Sequence, residues 1–395
     1  MRCVGTVVRG IRTPIIKEGD DLATIVVDSL IKARDNEGFE FRDRDIVAIT
    51  EAVVGISEGN YVSVDDIAKD IRNKFPSGDI GLVYPILSRN RFSMILKGIA
   101  RGAKHITMLL SFPSDEVGNG ILDEDKLNDS KFDLSSVISE SEYDEYFGDY
   151  LHPFTGINMV DFYRDLIHSE NCDVDFVFAN DPKVILDYTK DIINCDIHTR
   201  FVTKRILEEC SANTVYGLFE IMNKSIDGSG FNPTYGLLGS NKSTEERLKL
   251  FPKTGMELVN NIHNKLKDIT GKDIEVMVYG DGAFKDPVGH IWELADPVVS
   301  PAYTSGLEGT PNEIKLKYVS DNKFASLSGD ELKNALKEEI RNKDNDLKGK
   351  MITQGTTPRR LTDLIGSLCD LTSGSGDKGT PVIFIQGYFD NLADE

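Results

Sequence analysis

The chain of 395 residues is short of cysteine, histidine and positive charge, and each shortage removes a class of protein. Its five cysteines, Cys3, Cys172, Cys195, Cys210 and Cys369, are an odd number without a C-x-x-C pair. That argues against a disulfide framework or a zinc site and leaves them as small buried hydrophobes. The six histidines show neither H-x-x-x-H nor H-E-x-x-H spacing, which disfavours a zinc hydrolase, and there is no G-x-S-x-G elbow. Lys and Arg number 45 against 65 Asp and Glu, a formal charge of −20. Such a chain repels a phosphate backbone at long range, so no nucleic-acid partner is expected. No apolar run reaches the roughly 20 residues of a membrane span, the longest being 46–56 and 106–112, so no membrane partner is expected either. The opening Met1-Arg2-Cys3-Val4-Gly5-Thr6 lacks the apolar core and cleavage site of a signal peptide, which places the chain in the cytoplasm. What remains, with 40% hydrophobic and 28% charged residues, is an ordinary globular protein able to bury a substantial core or two.

Periodicity then suggests the elements. Residues 4–11 are β-branched and alternate, predicting a strand; Asp20 or Asp21 is a candidate N-cap for the helical run through Leu22, Ile25, Val26 and Leu30. The apolar run 46–54, bounded by charge and by Gly55, predicts a buried strand. Residues 63–75 and 91–103 have helical spacing, with short strands at 80–84 and 106–110. Between 115 and 149 twelve acids face two lysines, a block expected to be a solvated face or flexible excursion, or an acidic interaction surface. An amphipathic run at 159–167, a strand at 174–178 and helices at 184–193 and 200–209 follow. A helix at 256–266, a strand at 274–279 and helices at 329–341 and 360–371 complete the list, before a strand at 382–385. No internal repeat is present.

Three features bear chemistry. The loop Ser373, Gly374, Ser375, Gly376, Asp377, Lys378, Gly379, Thr380 offers backbone N–H groups and one ammonium to an anion, without matching a Walker A motif; taken alone, a plain flexible connection is its better reading. Asp281 ends a strand between Gly280 and Gly282, where a free carboxylate suits Mg2+ or Mn2+, or simply makes a turn. Glu51, inside an apolar run, needs a partner or a metal, and Glu58 stands seven residues on. His290 beside Trp292 reads as packing.

Together, three stretches resemble one family, the coenzyme F420-0:L-glutamate ligases, also called gamma-glutamyl ligases. They are the opening GIRTPIIKEGDDLATIVVDSL with DRDIVAITEAVVGISEGN, the middle GLLGSN with VYGDGAF, and the ending TDLIGSLCDLTSGSGDKGTPVIFIQGY. Residues 1–110 and 231–395 approach that family's usual length, so 111–230 reads as an inserted acidic α/β lobe on an α+β, mixed-sheet ligase module. The resemblance implies a GTP- and Mg2+- or Mn2+-dependent ligase, commonly a homodimer. Such an enzyme joins an amino acid such as L-glutamate to a small carboxylate acceptor through an acyl phosphate. It also implies nucleotide contacts at Thr13, Pro14, Ile15, Ile16 and Asn241 and at the loop Ser373 to Thr380. Asp281 would hold the metal, with Gly282 and Ser375 beside it, and Glu58 would bind metal or accept a proton from the amine. The sequence departs from the family pattern where Leu238 replaces an Asp, Ile56 a Lys and Ser375 a Gln. These changes leave open a non-catalytic nucleotide- or metabolite-binding protein on the same fold, and a metal-dependent hydrolase as a third reading.

Overall fold

The computed structural model describes residues 3–356, 359–374 and 377–394. Among them the strands, in chain order, are β1 (Val7–Ile11), β2 (Ile46–Thr50), β3 (Tyr61–Ser63), β4 (Asp79–Val83), β5 (His105–Leu110), β6 (Ile138–Ser139) and β7 (Asp173–Phe178). They continue with β8 (Asp191–Asn194), β9 (Thr214–Gly217), β10 (Asn241–Thr244), β11 (Arg247–Lys249), β12 (Glu275–Tyr279), β13 (Ala302–Tyr303) and β14 (Val382–Gln386). Three sheets result, ordered β1-β14-β2-β12-β13, β10-β11-β3 and β6-β7-β5-β4-β8-β9. The α+β class with mixed sheets expected from the sequence is what the chain adopts.

The five-stranded sheet is buried on both faces, and the pleat explains how. In β2, Val47 and Ile49 face one core while Ile46 and Ala48 face the other; β12 and β14 divide in the same way, with Val276, Val278, Val382 and Phe384 against Met277, Tyr279, Ile383 and Ile385. Helices Leu22–Glu37 and Gly255–Thr270 cover the first face and helix Leu361–Ser373 the second. The first of these starts where Asp21 accepts from the Thr24 N–H and hydroxyl, at 3.1 and 2.6 Å, and stops at Gly38 in the left-handed region, φ 69°. Within this sheet β2 and β12 run parallel, so Thr50 and Tyr279 end side by side, while β1 and β13 pair antiparallel at its margins.

The six-stranded sheet is parallel through β7-β5-β4-β8-β9, with β6 antiparallel at its edge. It begins at Asp79, so it takes in β4 and β5 from before residue 111, where the sequence reading began the inserted lobe. Parallel pairing explains this, since the parallel strands β4 and β5 must be joined by a crossover, here helix Phe92–Gly102.

Three local expectations change. The apolar run 46–54 is a strand only to Thr50; from Glu51 it becomes the short helix Glu51–Ser57, because pairing with β12 ends at Tyr279. Residues 184–193 are not a helix: a 3-10 turn, Pro182–Asp187, leads into β8, which is hydrogen-bonded on both sides to β4 and β9. The acidic stretch is no loose excursion: seven of its twelve acids are exposed, as a solvated face requires, while others are built into the fold. Asp115 is buried and accepts four hydrogen bonds, from the N–H groups of Leu87, Val117 and Asn119 and from the Asn119 amide. Glu116 receives the N–H groups of Ile197, His198 and Thr199, and Ser139 with Glu142 forms a capping box. These acids serve backbone N–H groups that would otherwise be orphaned. All five cysteines are free thiols; Cys172, Cys195 and Cys369 are buried as expected, whereas Cys3 and Cys210 are exposed. No helix among the described residues is long and apolar enough to cross a membrane.

Candidate active site

Strand register assembles the first cavity. β1 pairs antiparallel with β14, Ile11 opposite Val382, so the residues after β1 run alongside those before β14. β14 in turn pairs with β2, Val382 opposite Ile49, and the Thr50 N–H donates to the Pro381 carbonyl at 3.0 Å. Three segments distant in sequence therefore meet at the carboxyl ends of the parallel strands β2 and β12. They enclose a cavity of about 430 Å3 lined by Thr13, Pro14, Ile15, Ile16, Thr50, Ala52, Val53, Tyr279, Ser373, Gly374, Lys378, Gly379, Thr380 and Pro381. Gly10 packs closely behind it, since a Cβ there would stand 3.1 Å from the Thr380 side chain. Ile15, 86% exposed, stands at the rim. The Lys378 side chain folds over Gly374, its Nζ 2.6 Å from the point a Cβ would occupy, and Gly374 and Gly379 both take positive φ, 58° and 66°. The Tyr279 hydroxyl is buried near Ser373 and Thr50, and burial pushes its pKa up.

All four residues of the expected N-terminal turn and five of the expected loop thus share one cavity. Asp377 is not among its lining residues, and Ser375 and Gly376 lie outside the described residues. Asn241 opens β10, pairs with Lys249 and lines neither this cavity nor the next. Glu58 is engaged elsewhere: its carboxylate accepts the N–H groups of Lys253 and Thr254 at 3.1 and 2.9 Å and the Thr254 hydroxyl at 2.6 Å, at the N-terminus of helix Gly255–Thr270. This is helix capping, with the carboxylate placed where the helix dipole favours it. The histidine that packs on Trp292 is His198, ring centroids 4.6 Å apart, and His290 is exposed.

Asp281 lies two residues past the end of β12 and lines a second cavity of about 610 Å3. The two cavities are tied through helix Leu361–Ser373: Asp370 accepts the Gly282 N–H at 3.0 Å and Ser367 accepts the Ala283 N–H at 2.9 Å, while the helix's last residue lines the first cavity. Sequence reading missed the partner of Asp281. Arg91, immediately before helix Phe92–Gly102, donates to both Asp281 oxygens at 2.9 Å and to Asp296 Oδ1 at 2.6 Å. Burial alone would lower the Arg91 pKa, but Asp296 and Asp281 outweigh it and raise it, keeping the guanidinium charged. Burial, with Asp296 close by, raises the pKa of Asp281. Its signal in the sequence was an arginine at a helix N-terminus, the end where the dipole disfavours a cation, so a compensating anion was required. Glu51 has its partner too: Lys249 Nζ at 2.6 Å, both side chains 8% exposed.

The divalent ion that the resemblance implies does not fit Asp281 as the chain holds it. Both of its oxygens are occupied by Arg91, and Oδ2 also accepts the N–H groups of Ala295 and Asp296 at 3.1 Å. Among the described residues no group of three or more His, Cys, Asp or Glu side chains is arranged to hold a metal ion.

The chain is thus an α+β protein with a cavity of several hundred Å3 at the ends of parallel strands, walled by apolar residues, a glycine-bearing loop and one ammonium. The chain belongs to the F420-0:gamma-glutamyl ligase family, whose family model matches residues 10–387. No curated protein matches it. Membership supports an F420-0:gamma-glutamyl ligase-like function.

Proposed function

We propose that the chain is a GTP-dependent ligase that joins the carboxylate of a small acceptor to the amine of an amino acid such as L-glutamate. The observation that carries this reading is the meeting of Thr13 to Ile16 with Ser373, Gly374, Lys378, Gly379 and Thr380 around one cavity. In this reading the nucleotide base lies against Pro14 and Ile15, and the phosphates face Lys378 and the N–H groups of the glycine loop. The acceptor carboxylate oxygen attacks the γ-phosphorus, the bond to the β,γ-bridging oxygen breaks, and GDP leaves an acyl phosphate. The amine nitrogen then attacks the acyl carbon, phosphate departs with the C–O electron pair, and the nitrogen loses its proton to water or phosphate. The residues of this chain contribute positioning and charge stabilisation rather than covalent chemistry. The homodimer that the resemblance implies and a cytoplasmic location, in keeping with five free thiols, belong to the same proposal.

The test is phosphate release by the purified chain given GTP, L-glutamate and a panel of carboxylates. The ligase reading expects release only when an acceptor is present. Release without acceptor would make the protein a hydrolase. Binding without release would favour the second reading, a non-catalytic nucleotide-binding protein; the engagement of Asp281, Glu51 and Glu58 by internal partners is the observation on its side.

A further inference from the structure

We propose that Arg91 is the resident cation of the Asp281–Asp296 pair, so that this site holds a guanidinium in place of a divalent metal ion. The inference goes beyond the ligase reading and does not depend on it. Four carboxylate oxygens face one another across the end of β12, and each already accepts a hydrogen bond. Arg91 reaches both oxygens of Asp281 at 2.9 Å and Asp296 Oδ1 at 2.6 Å; the remaining oxygen, Asp296 Oδ2, accepts the Asp281 N–H at 3.0 Å. A hard cation needs oxygens with free lone pairs at about 2.0–2.6 Å, and a fixed positive charge within hydrogen-bond distance of the same oxygens repels it.

The surroundings are built for the guanidinium. Asp296 is 1% exposed at its side chain and Arg91 17%, so neither charge is free to leave for water. Gly280 makes room for Asp296, since a Cβ there would lie 2.2 Å from Asp296 Oδ2. Arg91 is held in turn by its own backbone, whose N–H donates to the Ser88 hydroxyl at 3.1 Å. Leu238 lines a narrow cavity beside Arg91 and offers it a hydrocarbon wall with no oxygen donor. The nearby Glu51 is itself paired with Lys249, its carboxylate oxygen 2.6 Å from Nζ.

The test needs Mn2+ alone and the full chain. Crystals of the wild-type protein soaked in Mn2+ should show no anomalous peak between Asp281 and Asp296, with Arg91 still bridging them; a peak there, or an Arg91 displaced by the ion, overturns the proposal. In solution, the thermal midpoint of the wild-type protein should not respond to Mn2+ through Asp281. Arg91→Met should gain one bound Mn2+ per chain by electron paramagnetic resonance, and Mn2+ should raise its thermal midpoint. The gain should vanish in Arg91→Met combined with Asp281→Asn. If Arg91→Met does not fold, the wild-type crystal result stands as the deciding measurement, and neither readout involves ligase activity.

Discussion

Replacing Lys378 by Met removes the one ammonium that lines the 430 Å3 cavity. The side chain is exposed on the loop and folds over Gly374, so its loss leaves no buried partner unsatisfied. Stability should therefore move by no more than about 0.5 kcal/mol, as for other surface substitutions. Binding should change far more. A hydrogen bond to a charged group contributes about 1.5–3 kcal/mol, which at about 1.4 kcal/mol per decade is a loss of roughly 10- to 150-fold in affinity. Isothermal titration of wild type and variant with a non-hydrolysable GTP analogue reads that ratio directly. Lys378→Arg should retain most of the affinity, because it keeps the charge while changing the geometry. A dissociation constant unchanged in Lys378→Met, with the melting temperature also unchanged, would refute the assignment of this loop to phosphate.

Other consequences are independent of the ligand. Glu58→Ala removes a carboxylate that caps helix Gly255–Thr270 and should cost about 0.5–2 kcal/mol in urea unfolding; a variant as stable as wild type would mean the cap is not formed. Burial pushes Asp115 from 3.8 up to about 6 against four hydrogen bonds that lower it. The native state thus holds that proton more tightly than the unfolded chain, and stability should fall by about 3 kcal/mol as pH rises from about 4 to 6; Asp115→Asn should lose that slope. Burial disfavours the charged form of His105, but hydrogen bonds to Asp79 and Asp175 outweigh it and raise its pKa. Its contribution should be complete below about pH 6.5, lost as pH rises through the folded value, and absent from a denaturation series on His105→Gln.

Where the sequence carried the fold, it did so through local rules that tertiary contacts reinforce. Asp21, one of the two caps offered with Asp20, could be read from the sequence, and β12 and β14 as strands, because buried alternation and turn residues agreed there. Where local rules were ambiguous, pairing decided. Apolar residues from Val184 to Ile193 fit a helix by spacing, yet the slot between β4 and β9 made the last of them a strand. The glycine- and serine-rich composition of the loop near the C-terminus was legible, and its partner turn at Thr13 to Ile16 entered through the resemblance; only the register of β1 on β14 shows why they meet. The helix N-terminus at Arg91 hinted at an anion, but its two partners were not legible, since they lie 190 and 205 residues away. Glu58 was misleading for the opposite reason: a carboxylate after an apolar run looks available until the helix it caps, nearly two hundred residues on, is in place.

Hydrogen–deuterium exchange on the full chain with and without GTP tests the location of the nucleotide most directly. Slowed exchange is expected, confined to the turn around Thr13 to Ile16, the start of helix Glu51–Ser57 and the segment from Ser373 to Thr380. Protection centred instead on Ser88 to Arg91 and Trp292, or no protection anywhere, would contradict it.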